Sequence, residues 1–115
     1  MNIEEARFYC LSKENATEDF PFDETTLVFR IENKIFACVD LMNTTWFCVK
    51  CDPERAILLR EEWQQITPAW HWNKKYWNQL DIEHLPDNLI KECIDHSYDE
   101  VLKKLPKKIR ETYGK

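Results

Sequence analysis

Thr25-Thr26-Leu27-Val28-Phe29-Arg30-Ile31-Glu32 is the stretch on which the fold turns. Leu27, Phe29 and Ile31 alternate with Thr26, Val28 and Arg30, the period of a strand with one face on a core. Asn33-Lys34 then reads as a two-residue turn, since Asn tolerates positive φ. Ile35 to Leu41 resumes the alternation and places Ile35, Ala37, Val39 and Leu41 on one face. Met42-Asn43-Thr44 supplies another turn and Trp46 to Lys50 a third strand. The product is an antiparallel meander with one apolar face.

The flanking segments supply helices to cover that face. Ile3, Ala6, Arg7, Cys10 and Leu11 recur at 3–4 spacing, which predicts a helix over residues 2–13. Phe20-Pro21-Phe22-Asp23 breaks that pattern, and its two Phe rings are expected to pin a turn onto the core. Asp52-Pro53-Glu54 is a helix start: Asp52 caps free N–H groups, Pro53 suits the first helical position and Glu54 suits the dipole. That helix is expected to reach Trp63. Ile66 to Trp70 reads as a short strand that Pro68 confines to an edge or a bulge. Trp77 to Ile82 reads as another. Pro86 opens a long last helix, whose stripe runs through Leu89/Ile90, Cys93/Ile94, Ser97/Tyr98, Val101/Leu102 and Leu105 until Pro106 ends or bends it. The expected class is α+β, with helices on one face of an antiparallel sheet and the other face available for binding.

Composition bounds the function. The 115 residues are 43% hydrophobic and 32% charged, which suits one globular domain over residues 1–115. No apolar run approaches the ~20 residues that span a bilayer. Met1-Asn2-Ile3-Glu4-Glu5 lacks the apolar stretch of a secretory signal, so a cytoplasmic location is expected, without membrane association. The five cysteines, an odd number, are then expected to be reduced thiols. The net charge of −5 is unevenly spread: residues 101–115 carry six Lys/Arg against Glu111, leaving −10 on residues 1–100. A basic footprint for nucleic acid is therefore local.

Three segments carry a family resemblance: Phe20-Pro21-Phe22, His71-Trp72-Asn73-Lys74-Lys75-Tyr76-Trp77-Asn78, and Asp95-His96-Ser97-Tyr98-Asp99. In order and spacing the chain resembles the MmcQ/YjbR family of small bacterial proteins over nearly its whole length. The resemblance implies a CyaY-like fold, a twisted antiparallel sheet packed by helices, and a DNA-binding role. The chain departs from the family pattern where Glu32-Asn33-Lys34 lacks a glycine and where Asp23, rather than Gly, follows Phe-Pro-Phe.

Trp70–Asn78 is the motif richest in chemistry. Trp70, Trp72, Tyr76 and Trp77 could stack on bases, Lys74 and Lys75 could neutralise phosphate, and Asn73 and Asn78 could read adenine edges. The same loop could simply plug the core with its aromatics and solvate its lysines. Alternation sets Tyr76 opposite Trp77, so at most one faces solvent. The basic run from Lys103 to Arg110 either contacts phosphate or complements a helix C-terminus. Asp95-His96-Ser97 is no triad, because neighbours on a helix point about 100° apart. His96 is expected to hydrogen-bond locally and Tyr98 to join the core. In Cys48-Val49-Lys50-Cys51, strand alternation separates the thiols, and no second pair at zinc spacing exists. The acids Glu4, Glu5, Glu14, Glu18, Asp19, Asp23 and Glu24 form a solvated face, a weak site for a hard cation as in frataxin-type iron binders, or a contact for a basic protein.

The sequence thus points to a non-enzymatic module without a cofactor, catalytic site or metal centre. With its only Gly at position 114, it has no Gly-rich phosphate loop. DNA would be held by Arg30, Lys34, Lys74, Lys75 and Lys108 on phosphates, with Trp72 and Asn73 near bases. The alternative is a protein-interaction or metal-binding module using the acidic surface. Either would act as a monomer or weak homodimer.

Overall fold

A computed structural model describes residues 1–114. Helix α1 (Ile3–Leu11) starts in a capping box: the Asn2 side chain accepts from the Glu5 N–H, and the Glu5 carboxylate accepts from the Asn2 N–H. Strands β1 (Thr17–Asp19), β2 (Thr26–Ile31), β3 (Lys34–Asp40) and β4 (Asn43–Lys50) follow, then helix α2 (Pro53–Glu62). Next come β5 (Ile66–Pro68), β6 (Trp77–Asp81), the long helix α3 (Asp87–Leu102) and the single turn α4 (Lys107–Arg110). The six strands form one antiparallel sheet in the order β1-β2-β3-β4-β6-β5, so Pro68 does lie on an edge strand. As expected, the class is α+β. Asp52 caps α2 by accepting from the Arg55 N–H, with Pro53 at the first helical position.

Helix α3 crosses the middle of the sheet, on β3 and β4. Leu27, Phe29, Ala37, Val39, Phe47, Val49, Leu80 and Ile66 meet Ala6, Cys10, Ala56, Ile90, Ile94, Tyr98 and Val101 in the core. The Tyr98 ring stands edge-on to Phe36, with centroids 5.4 Å apart and planes at 88°. Ser97 fastens helix to sheet. Its hydroxyl donates to the Phe36 carbonyl and accepts from the Lys50 N–H at 2.8 Å.

Several expectations need correction. The β2–β3 register shifts between Phe29 and Arg30: Phe29 pairs Ala37 and Arg30 pairs Ile35, so Phe36 is the extra residue of a bulge. Alternation breaks there, and Ile35 leaves the core face that Ala37 and Val39 share. Leu41 leaves it too, as a 40%-exposed turn residue. The β2–β3 turn is Glu32-Asn33 rather than Asn33-Lys34. Both take positive φ (49° and 66°), the geometry that gives adjacent strands their proper twist. Lys34 is already in β3. The next turn is Leu41-Met42, one residue early. Phe20 and Phe22 do not pin a turn onto the core. They are exposed, and Asp23 organises that turn by accepting from the Thr25 and Thr26 N–H groups at 2.9 and 2.6 Å. Strand β1 and turn α4 were not legible, since neither offers enough residues for a period to show. His96 hydrogen-bonds far along the chain: its Nε2 accepts from the Asp52 N–H at 3.1 Å. Burial, helped by the nearby Arg55 charge, holds its pKa below the usual histidine value and keeps that nitrogen free to accept.

Candidate nucleic-acid interface

The face of the sheet away from α3 carries Arg30, Cys38, Cys48, Lys50, Trp77 and Gln79. The β5–β6 loop, residues 69–76, folds back over this face. Asn73 builds the loop's turn: its Oδ1 accepts from the Lys75 N–H and its carbonyl from the Tyr76 N–H. The Trp72 ring then lies on Trp77, with centroids 4.6 Å apart and planes at 32°, while Phe22 touches Trp72 edge-on at 6.2 Å. The FPF turn and the aromatic loop, distant in sequence, therefore close over the sheet together.

The Trp72–Trp77 stack stands between two cavities. One, of about 430 Å³, is lined by Arg30, Lys34, Lys50 and Lys104 with Ile35, Asn33, Trp77, Val101 and Leu105. Four cations and no acid face it. Register explains why: the bulge pairs Arg30 with Ile35, Lys50 on β4 pairs Trp77 on the adjoining β6, and the turn after α3 delivers Lys104. Burial pushes the Lys50 pKa down, and the charges of Lys104 and Lys34 push it further than Glu100 restores. Arg30 is partly engaged, with Nε on Asp19 at 3.0 Å and NH1 on the Asn33 carbonyl at 3.1 Å. The second cavity, of about 390 Å³, is lined by Trp46, Trp70 and Trp72 with His71, Asp40, Asn43, Thr26, Gln79, Cys38 and Cys48.

The structure brings together most of the residues expected to bind DNA. Arg30 and Lys34 share the cationic cavity. Lys74 and Lys75 are exposed on the loop beside it, with Lys74 Nζ 4.6 Å from the Trp70 ring centre. Lys75 and Lys104 flank Tyr76 at 5.6 and 5.7 Å. Asn73 is exposed, but its side-chain oxygen is committed to the turn. Trp72 is half-buried under its neighbours, and the ring offered to solvent is Trp70, 62% exposed. Asn78 is not a surface amide: it is 1% exposed on the core side, donating to the Ala56 carbonyl. Lys108, exposed on α4, does not line either cavity. Lys115, counted in the basic tail, lies outside the described residues.

Sequence reasoning missed Lys50, and it named Lys104 only within the basic run from Lys103 to Arg110. Lys50 was available from alternation: it falls on the opposite side of β4 from Val49 and therefore with Cys48's face-mates. The place of Lys104 in the cavity was not legible, because α3 ends at Leu102 and the chain leaves the helical period before it.

The acidic face is largely used internally. Glu18 pairs Arg7 in a two-bond fork at 2.8 and 2.6 Å, which holds the Glu18 pKa below the usual carboxylate value. Asp19 pairs Arg30, Glu5 caps α1, and Glu14 accepts from the Gly114 N–H. Among the described residues, no three His, Cys, Asp or Glu side chains come together as metal ligands.

Comparison with known proteins agrees with this architecture. A solved Deinococcus radiodurans structure of a DUF419 domain superposes with a TM-score of 0.90 at 32% identity, covering 96% of this chain and 86% of that one. A Pseudomonas syringae structure shares the fold at a TM-score of 0.73 and 23% identity, over 87% and 98% of the two chains. The uncharacterized Escherichia coli K12 protein YjbR is 31% identical over 112 residues, 96% of this chain and 95% of its own length. The uncharacterized Escherichia coli O157:H7 protein YbdF is 30% identical over 91 residues, 77% of this chain and 75% of its own. The family model described as YjbR matches residues 11–100, and with these relatives it makes the chain a member of the YjbR family.

Proposed function

We propose that the protein is a non-enzymatic binding module for nucleic acid, DNA with accessible bases, held in the two cavities on either side of the Trp72–Trp77 stack. The observation that carries this reading is the cavity of four cations without an acid, joined through Trp77–Trp72 to a second cavity walled by three Trp rings. Phosphates would sit among Lys34, Lys50, Lys104 and Arg30, flanked by Lys74 and Lys75. Bases would stack on Trp70 and Trp46 rather than on the covered Trp72. Unstacked bases suit this cavity better than a duplex does, because ring faces are what tryptophan recognises. The chain's net charge of −5 opposes long-range attraction, so affinity has to come from this local surface.

Fluorescence anisotropy with labelled single-stranded and duplex DNA tests the reading. About four phosphate contacts on a single strand predict a slope of about −3 in log K against log salt. Lys34→Glu/Lys104→Glu and Lys74→Glu/Lys75→Glu are each expected to abolish binding at physiological salt, and single strands to bind more tightly than duplex. Absence of binding at low salt, or binding indifferent to both charge reversals, overturns it.

A further inference from the structure

Cys38 and Cys48 are directly opposed partners on adjacent antiparallel strands, both facing the tryptophan-walled cavity. The row across the sheet runs Val28, Cys38, Cys48, Gln79, Thr67. Opposed residues hold their Cβ atoms about 4.5–5.5 Å apart, close to the ~3.5–4.5 Å that a disulfide needs. The Trp72 ring lines the same cavity as the two thiols. They differ in access. Cys38 is 3% exposed, whereas Cys48 is only half-buried and meets whatever enters the cavity. The neighbouring Cys38 thiol lowers the Cys48 pKa against the opposing effect of burial, and the two titrate as a pair. The other thiols are different. Cys10, Cys51 and Cys93 lie in the core, where burial pushes Cys51 up to about 12 and Cys93 to about 11.

We propose that Cys38 and Cys48 form a redox site, a dithiol that closes reversibly to a cross-strand disulfide by exchange with a low-molecular-weight disulfide such as oxidised glutathione. The Cys48 thiolate attacks one sulfur of the oxidant. A protein–glutathione S–S bond forms, the oxidant's S–S bond breaks, and one glutathione thiolate leaves and takes up a proton. Cys38 then loses its proton to solvent and attacks Cys48 Sγ. The mixed disulfide breaks, the Cys38–Cys48 bond forms, and a second glutathione leaves as thiol. Two electrons pass from protein to oxidant, and the two thiol protons end on the two glutathiones. Closing the bond must draw the strands' Cβ atoms together, so the product sits toward the readily reduced end of the disulfide range. This inference is independent of nucleic-acid binding.

The test is native incubation of the full chain with oxidised glutathione, alkylation of the remaining thiols, and mass spectrometry of intact protein and peptides. The expected product is two hydrogens lighter, carries three alkylated cysteines and yields a Cys38–Cys48 linked peptide. Excess reduced glutathione should return it to the dithiol. Cys38→Ser should stop at a stable glutathione adduct on Cys48, and Cys48→Ser should slow oxidation about tenfold or more. The wild-type linkage is read without either variant, so it stands even if one folds poorly. A persistent glutathione adduct in the wild-type chain, no reaction at all, or linkage of Cys51 to Cys93 would overturn the proposal.

Discussion

Ser97 shows how much a single hydroxyl can hold. It is fully buried, donating to the carbonyl of the bulged Phe36 and accepting from the Lys50 N–H, so one side chain ties α3 to β3 and β4. Ser97→Ala leaves two buried backbone groups unpaired and is expected to cost about 1–3 kcal/mol, read as a lower midpoint in urea at unchanged m-value. Position 97 was legible as part of the helix stripe, but its bonds were not, because they need the bulge at Phe36. The same holds for His96. Its place on α3 was legible, yet its partner, the Asp52 N–H, lies 44 residues away. Side chains that act within their own element can be read from spacing, whereas those that staple elements together cannot.

Among the elements, α2 was read best and the β2–β3 hairpin worst at its tip. Asp52, Pro53 and Glu54 mark the start of α2 by local chemistry alone, and the helix begins where they place it. Asp52→Ala removes the acceptor for the Arg55 N–H and should cost about 1 kcal/mol in thermal or urea unfolding, while Asp52→Asn or Asp52→Ser should restore most of it. Strand β2 keeps its alternation through Ile31, but in β3 the extra residue Phe36 turns Ile35 to the other face. That bulge sets Ile35 beside Arg30 on the face away from α3, whereas simple alternation had placed it in the core. The long loop after β5 was recognisable as the chemical centre of the sequence. Which of its rings faces solvent was not, because the Phe22–Trp72–Trp77 packing joins segments far apart.

For the molecule as a whole, charge is segregated by internal pairing. Most acids of the N-terminal third are spent on Arg7, Arg30 and backbone N–H groups, and none of them lines the cavity of Lys34, Lys50 and Lys104. This cluster carries a pH signature. Lys50 has its pKa lowered by burial and by its two lysine neighbours, so it sheds its proton earlier than an ordinary lysine as pH rises. An anion in the cavity favours the charged form, so binding should take up protons and weaken as pH climbs through that lowered value. Kd for a short oligonucleotide, measured from pH 7 to 10, should rise more steeply for the wild type than for Lys50→Arg, whose guanidinium stays charged. The strand order has a consequence for how the chain is made. β6 enters the sheet between β4 and β5, so the outer edge of β4 has no partner until Trp77–Asp81 leave the ribosome. During synthesis the nascent meander displays Trp46 to Lys50 as a bare hydrogen-bonding edge while α2 and the loop are still being added. A fragment released before residue 77 would keep that edge permanently, and strand-to-strand aggregation is its expected fate.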